Sequence, residues 1–98
     1  MKNEVSLMVN GQPISLDGFV KELIDGTVGG ILTALEGVNE INDMDLQING
    51  GEVSVAVNGT EVPINSFVST TIKNTVIGMI SSFKGVSQVN TVRILIKR

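Results

Sequence analysis

Two short segments of the chain carry residue types that some enzymes use for catalysis or for phosphate binding. Residues 81–84 read Ser-Ser-Phe-Lys, a spacing in which a lysine can activate a serine nucleophile. The motifs that accompany this pattern in lactamase-type enzymes are absent, and Lys84 suits a helix end, where the helix dipole favours a cation. Residues 26–30 read Gly-Thr-Val-Gly-Gly, but they lack the spacing of a phosphate-binding loop and fall inside a helical period. We therefore expect neither segment to perform chemistry.

A group of acidic residues after the first predicted helix is the strongest candidate for a metal site. Carboxylate oxygens are the ligands that calcium and magnesium prefer, but the spacing does not fit an EF-hand loop. The acidic residues are Glu36, Glu40, Asp43 and Asp45. The residues that occupy the corresponding positions in the second half of the chain are Lys84, Gln88, Thr91 and Arg93. We expect solvated acids here and no metal.

The chain contains no cysteine, histidine, tryptophan or tyrosine. These absences exclude disulfides, zinc sites of the Cys/His type, cysteine nucleophiles and histidine acid-base catalysis. We therefore expect a protein that is not an enzyme and that holds no cofactor.

The composition predicts one small folded domain, residues 1–98, since a chain of this length cannot fill a second core. Hydrophobic residues make up 42% and charged residues 17%, which is typical of a packed core. A net charge of −3 and only three aromatic residues disfavour nucleic acid as a partner. No run approaches the roughly 18 apolar residues of a membrane span, and residues 1–5 lack a signal-peptide pattern, so we expect a cytoplasmic protein.

The two halves of the chain repeat one another. Residues 4–50 align with residues 52–98 along their whole length, without a gap. For example, Val-Asn-Gly at residues 9–11 recurs at residues 57–59. Two units are too few for a solenoid, so the repeat predicts an internal duplication in which two halves share one core around a pseudo-two-fold axis.

Each half begins with the pattern of a β-hairpin. Apolar residues occupy every second position, at Val5, Leu7 and Val9, which indicates a strand with one buried face. The Asn-Gly pairs at residues 10–11 and 58–59 predict two-residue type I′ turns, because both positions then need a positive φ. The short return arms contain Pro13 and Pro63, so we expect them to be edge strands or extended segments.

A helix and a final strand follow in each half. Asp17 and Asn65 are predicted N-caps, and the helices should run to about Glu36 and Lys84 and stop at the glycine that follows. The final strands have alternating apolar residues, namely Met44, Leu46 and Ile48, then Val92, Ile94 and Ile96. A two-residue turn at residues 50–51 should pair the first of these strands with the strand that opens the second half.

The predicted fold is therefore α+β, a two-layer sandwich of a mainly antiparallel sheet with two helices on one face. The long elements follow the order βαββαβ, which resembles the ferredoxin-like arrangement. Residues 35–41 and 83–89 look like the joint between helix and strand that is common in such domains. That arrangement leaves no free edge for the return arms. The arms therefore pair only at the strand ends, or the sheet is a six-stranded variant with short Asn-Gly hairpin arms.

The two halves carry opposite net charge. Residues 1–49 contain two basic and eight acidic residues, a net charge of −6, and residues 50–98 contain five basic and two acidic residues, a net charge of +3. The equivalent positions that change sign are Asp25 and Lys73, Glu36 and Lys84, and Asp45 and Arg93. Antiparallel helices would place Asp25 opposite Lys84 and Glu36 opposite Lys73, on either side of an apolar contact. That contact would be made by Val28, Leu32, Val76 and Ile80. The alternative is that these charges lie on solvated faces.

Three groups of residues are candidates for an interface. They are the small residues Gly26, Gly30 and Ala34 on the first helix, Ile77 on the second helix, and Met8, Ala56 and Leu95 on the outer face of the sheet. Small residues on a helix permit close packing within the fold or a groove for a partner. The sequence favours a non-enzymatic protein-interaction or scaffolding module that binds a protein partner or itself, as a homo-oligomer. The alternative is a regulatory small-ligand-binding domain of ferredoxin-like type, by analogy of fold alone.

Overall fold

The alternating and helical patterns of the sequence give eight elements. The computed structural model describes residues 4–35, 40–83, 85–86 and 88–98. The first half contributes β1 (Glu4–Val9), β2 (Gln12–Pro13), α1 (Gly18–Thr33) and β3 (Asp43–Asn49). The second half contributes β4 (Glu52–Val57), β5 (Thr60–Glu61), α2 (Ser66–Ser81) and β6 (Thr91–Lys97). Every element of the first half recurs at the equivalent place in the second half with the same length.

The predicted hairpins form with the expected turn chemistry. Asn10 and Asn58 both have a φ of 53°, and the glycine after each also has a positive φ, as a type I′ turn requires. The return arms are edge strands of two residues each. One further bond extends each arm, from Ile14 N to Leu7 O and from Val62 N to Val55 O. The Gly50-Gly51 turn also forms, since Asn49 pairs with Glu52.

The side chains of Asn10 and Asn58 fasten each hairpin to the opposite half of the chain. Asn58 Oδ1 accepts bonds from the amides of Asn42 and Asp43, at 2.7 and 3.1 Å, and Asn58 Nδ2 donates to Glu40 O at 2.7 Å. Asn10 makes the equivalent three bonds, to residues 88, 90 and 91. Each turn therefore holds the segment that leads into a central strand of the other half.

Both helices start where predicted and end earlier. The Asp17 and Asn65 side chains accept bonds from the amides of residues 20 and 68, as N-caps do. The predicted helix ends are wrong by about three residues, because the last turn tightens. Leu35 N bonds to Leu32 O and Phe83 N bonds to Ile80 O, both of which span three residues. Residues 36–37 and Lys84, at which the first helix was predicted to stop and the second to end, lie outside the described residues. The predicted stop of the second helix, Gly85, has a φ of +87°.

The strand order distinguishes the two sheet arrangements that the sequence left open. The strands form one antiparallel six-stranded sheet in the order β2-β1-β6-β3-β4-β5. This is the six-stranded variant with short hairpin arms. The strands that follow the helices, β3 and β6, lie at the centre, and β1 and β4 flank them. The hairpin arms occupy the two edges because β1 and β4 each leave their outer side free for them.

The sheet has a pseudo-two-fold axis. When each residue is replaced by its equivalent in the other half, the β1–β6 register becomes the β4–β3 register, and the β1–β2 register becomes the β4–β5 register. Leu46 and Ile94 are equivalent residues and pair with each other, so the axis passes between them. Because the axis is perpendicular to the sheet, it reverses directions within each layer, and the two helices run antiparallel.

One face of the sheet and one stripe of each helix form a single core. The buried residues of both halves belong to one apolar cluster, to which α1 contributes Ile24, Val28 and Leu32, and α2 contributes Ile72, Val76 and Ile80. The helix α1 packs against β1, and α2 packs against β4. The molecule is only 18 Å thick along its shortest axis, as two layers require. Buried residues from both halves therefore lie in the same apolar cluster.

Candidate interaction surfaces

An ion pair lies at the centre of the outer sheet face. Asp45 on β3 and Arg93 on β6 are equivalent positions of the two halves, on either side of the pseudo-two-fold axis. Arg93 Nη2 donates to Asp45 Oδ2 at 3.0 Å, and Nε donates to Oδ1 at 3.3 Å. This hydrogen bond and the charge of Asp45 raise the pKa of Arg93 above its usual value. The reversal of charge between these equivalent positions therefore produces a bidentate ion pair between the halves.

The three outer-face candidates surround this ion pair but do not form one apolar patch. Leu95 and Ala56 lie on either side of Asp45 in the same row of the sheet, both half-buried. Met8 lies beside Arg93 in the next row and is 37% exposed. The Asp45 carboxylate separates Leu95 from Ala56, so the face has small apolar areas with a charged centre.

A second ion pair joins the sheet to the first helix. Arg98 Nε donates to Asp25 Oδ1 at 3.0 Å, and the guanidinium lies against the backbone of Gly29. The predicted partner of Asp25 was Lys84, which lies outside the described residues, as does Glu36, the predicted partner of Lys73. The apolar residues that these pairs were expected to bracket, residues 28, 32, 76 and 80, are all buried in the shared core.

The candidates on the helices differ from expectation. Gly26, Gly30 and Ala34 are exposed, and a Cβ added at either glycine would meet no atom of the described residues within 4 Å beyond its own stretch of helix. Close packing of this stripe within the fold is therefore not seen, because α1 turns its Ile24 and Val28 side towards the sheet, and a role of the stripe as an interface stays a prediction. Ile77, the single best sequence candidate for an exposed apolar contact, is half-buried and packs against the core.

The most exposed large apolar side chains of the described residues were not among the candidates. Phe19 is 72% exposed and Phe67 is 76% exposed, and they are equivalent positions in the first turns of α1 and α2. Leu23, one turn after Phe19, is 38% exposed. The sequence does carry a signal for them, since Phe-Val follows the N-cap at the same distance in both halves.

The segments that resemble chemical motifs lie at the end of α2 and inside α1. Ser81, the serine of the Ser-x-x-Lys pattern, is the last residue of α2, and the lysine, Lys84, lies outside the described residues. Residues 26–30 lie in the interior of α1, where the backbone amides are engaged in the helix. Of the acidic group, Asp45 binds Arg93. Within the described parts of the chain, no three acidic residues are arranged to hold a metal ion.

A partly open depression lies on the outer sheet face, between the turn at Gly11 and the central strands. Its lining includes Met8, Gln47 and Arg93. None of the helices in the described residues is long and apolar enough to traverse a lipid bilayer. No protein-family model matches the chain, and neither a curated protein nor a solved structure matches it.

Proposed function

We propose that this chain is a non-enzymatic protein-interaction module that binds through Phe19 and Phe67. The observation that supports this proposal is the same aromatic side chain, about three-quarters exposed, at equivalent positions of both halves. Leaving a phenylalanine in water forgoes about 1.5–3 kcal/mol of burial free energy. Aromatic residues are enriched at the centres of protein interfaces, where a partner recovers that free energy.

The symmetry of the fold supports a bridging role. Phe19 and Phe67 lie on different helices and on opposite sides of the pseudo-two-fold axis, so the chain offers two equivalent points of contact. When the partner is a second copy, a Phe19 region that meets a Phe67 region forms a head-to-tail contact, which builds an open chain or, where the rotation closes, a ring. The module then self-associates into chains or rings, which is a scaffolding behaviour.

We also propose that the module arose by internal duplication and acts in the cytoplasm. The identical element lengths and the strand register that recurs in the second half support an internal duplication. The low aromatic content and the net charge of −3 support a protein partner over nucleic acid. A cytoplasmic location stays a prediction.

Light scattering across about a hundredfold range of protein concentration tests this function. We expect the mean mass to grow beyond that of a dimer, and we expect this growth to be lost when Phe19→Ser and Phe67→Ser are combined. Matched substitutions of exposed residues on the same helices, Thr33→Ser and Thr75→Ser, should leave the growth unchanged. Growth beyond a dimer that persists in the double phenylalanine variant would contradict the role of these side chains.

A thermal-shift screen against metabolites tests the alternative, a regulatory small-ligand domain. The depression beside Met8 is partly open to solvent, whereas ligand sites enclose most of the ligand surface. We therefore expect no metabolite to raise the melting temperature. A rise that is lost on substitution of Gln47 would favour the ligand-binding function instead.

A further inference from the structure

We propose that the outer face of the sheet binds the same face of a second copy of this chain, through the Asp45–Arg93 pair. This inference rests on the self-association proposed above and assigns a second surface to it. The helices cover the opposite side of the sheet, and the molecule is two layers thick, so this face is open. The two central rows of the face are Ser6, Leu95, Asp45, Ala56 and Glu61, then Pro13, Met8, Arg93, Gln47 and Ser54.

The charges of the face are complementary to themselves. Asp45 and Arg93 lie on opposite sides of the pseudo-two-fold axis, at equal distance from it in the strand register. A dimer axis that is parallel to the sheet and perpendicular to the line from Asp45 to Arg93 exchanges the two positions. Each carboxylate then faces the guanidinium of the other copy, and the four charges alternate in sign around the centre.

The hydrogen-bonding capacity of the pair leaves room for this contact. A guanidinium has five N–H donors, and Arg93 directs two of them at Asp45. A carboxylate accepts about four bonds, so Asp45 can accept from a second guanidinium as well. The Arg93 side chain is 48% exposed and that of Asp45 is 29% exposed, so both are within reach of another molecule.

The outer sheet face offers only a small area for contact with a second copy. Met8 lies beside Arg93, and Leu95 and Ala56 flank Asp45. Four strands about 4.8 Å apart, with a rise of about 3.4 Å per residue, present a face of roughly 400 Å². A standard stable interface buries about 800 Å² per partner. The dimer is therefore reversible, and it forms only as the protein concentration rises.

Charge reversal in the full-length chain tests the proposal by sedimentation equilibrium. Arg93→Asp gives the face two carboxylates, and Asp45→Arg gives it two guanidinium groups. Each variant alone should dimerise at least tenfold more weakly than the wild type, because like charges then meet across the dimer axis. An equimolar mixture of the two variants should form a heterodimer, since the carboxylates of one copy face the guanidinium groups of the other.

The mixture separates this proposal from a role of the pair within one chain. Neither variant contains an intramolecular ion pair at this position, so a purely internal role predicts no rescue on mixing, and that result would overturn the proposal. Lys21→Asp and Glu22→Arg change the net charge equally on the exposed side of α1 and should leave dimerisation unaltered. If a single variant fails to fold, Asp45→Asn combined with Arg93→Gln decides: a lost dimer supports the proposal and a retained dimer overturns it.

Failure of this inference is distinguishable from failure of the proposed function. A dimer that forms equally well in Arg93→Asp overturns the sheet-face contact and leaves binding through the phenylalanines intact. A dimer that persists in the combined Phe19→Ser and Phe67→Ser variant, and that requires the charge pair, supports the sheet-face contact. A wild-type mass that stays monomeric at every concentration overturns the sheet-face contact and self-association through the phenylalanines.

Discussion

Gly29 shows how single residues distinguish the two halves. Its equivalent in α2 is Ile77, whose side chain packs against the core. At Gly29 the guanidinium of Arg98 fills the space that a side chain would occupy, and it binds Asp25. The equivalent of Arg98 is Gly50, which lies in the turn that joins the halves and has no side chain to offer. The first half therefore needs a glycine where the second half needs an isoleucine.

The neighbouring glycines of α1 provide a test of this role. Gly30→Ala should raise the free energy of unfolding by up to about 1 kcal/mol, because an exposed glycine inside a helix costs about that much relative to alanine. Gly29→Ala should gain less or lose stability, because its methyl group must displace the Arg98 guanidinium from Asp25. Urea denaturation of both variants measures the difference.

Gly26→Ala is the matched control, since its added Cβ also meets open space. It should behave like Gly30→Ala. Equal gains at all three positions would show that the contact between Arg98 and Gly29 carries no stability.

The charge reversal between the halves can be seen in the sequence, but the contact that it produces cannot. The reversal of sign between Asp45 and Arg93 is visible once the repeat is aligned. The sequence does not reveal that these two positions meet, because that depends on the register of β3 against β6. The register sets equivalent positions on either side of the axis, so a reversal of sign there becomes an attraction between the halves.

At the scale of elements, the hairpin turns are also clamps. Asn58 combines a left-handed backbone with three side-chain bonds to the segment before β3. The left-handed backbone can be predicted from the Asn-Gly pair, since asparagine tolerates a positive φ better than other residues with a side chain. The side-chain bonds depend on the strand order, which brings the turn of one half beside a loop of the other.

The two contributions can be separated by substitution. Asn58→Ala should lower the free energy of unfolding by about 2–4 kcal/mol, since it places an alanine at a left-handed φ and removes three hydrogen bonds. Asn58→Gly should cost less, because glycine accepts the backbone conformation and only the bonds are lost. Urea denaturation measures both changes.

Asn74→Ala, on the exposed side of α2, is the control and should be close to neutral. Asn10→Ala should cost about as much as Asn58→Ala, because the two turns make equivalent bonds. A loss at Asn58 no larger than at Asn74 would show that the clamps do not contribute to stability.

The whole molecule unfolds as one unit if the shared core is the main source of stability. Ile24 and Ile72 are completely buried in the two helices and belong to the same cluster. Ile72→Ala should lower the free energy of unfolding by about 2–5 kcal/mol, the usual cost of removing a buried isoleucine. Because β1 pairs with β6, the loss should appear equally in both halves.

Circular dichroism and hydrogen exchange of the β1 and β4 amides measure this coupling. We expect one transition, with the two strands losing protection together, as in a small two-state domain. Thr70→Ala, at an exposed position of α2, should leave the transition in place. Two separate transitions in the Ile72→Ala variant would show that the halves fold independently.

The local features of this protein were determined by the sequence alone. Turn type, N-caps and the alternation of the strands depend on residues close together in the chain, and the repeat is visible by direct alignment, so all of these are readable there. Only the tertiary structure decided that β3 and β6 meet at the centre, that Asp45 binds Arg93, and that Phe19 and Phe67 stay in water. The physical reason is that a period of two shows which side of a strand is apolar but not which strand lies beside it.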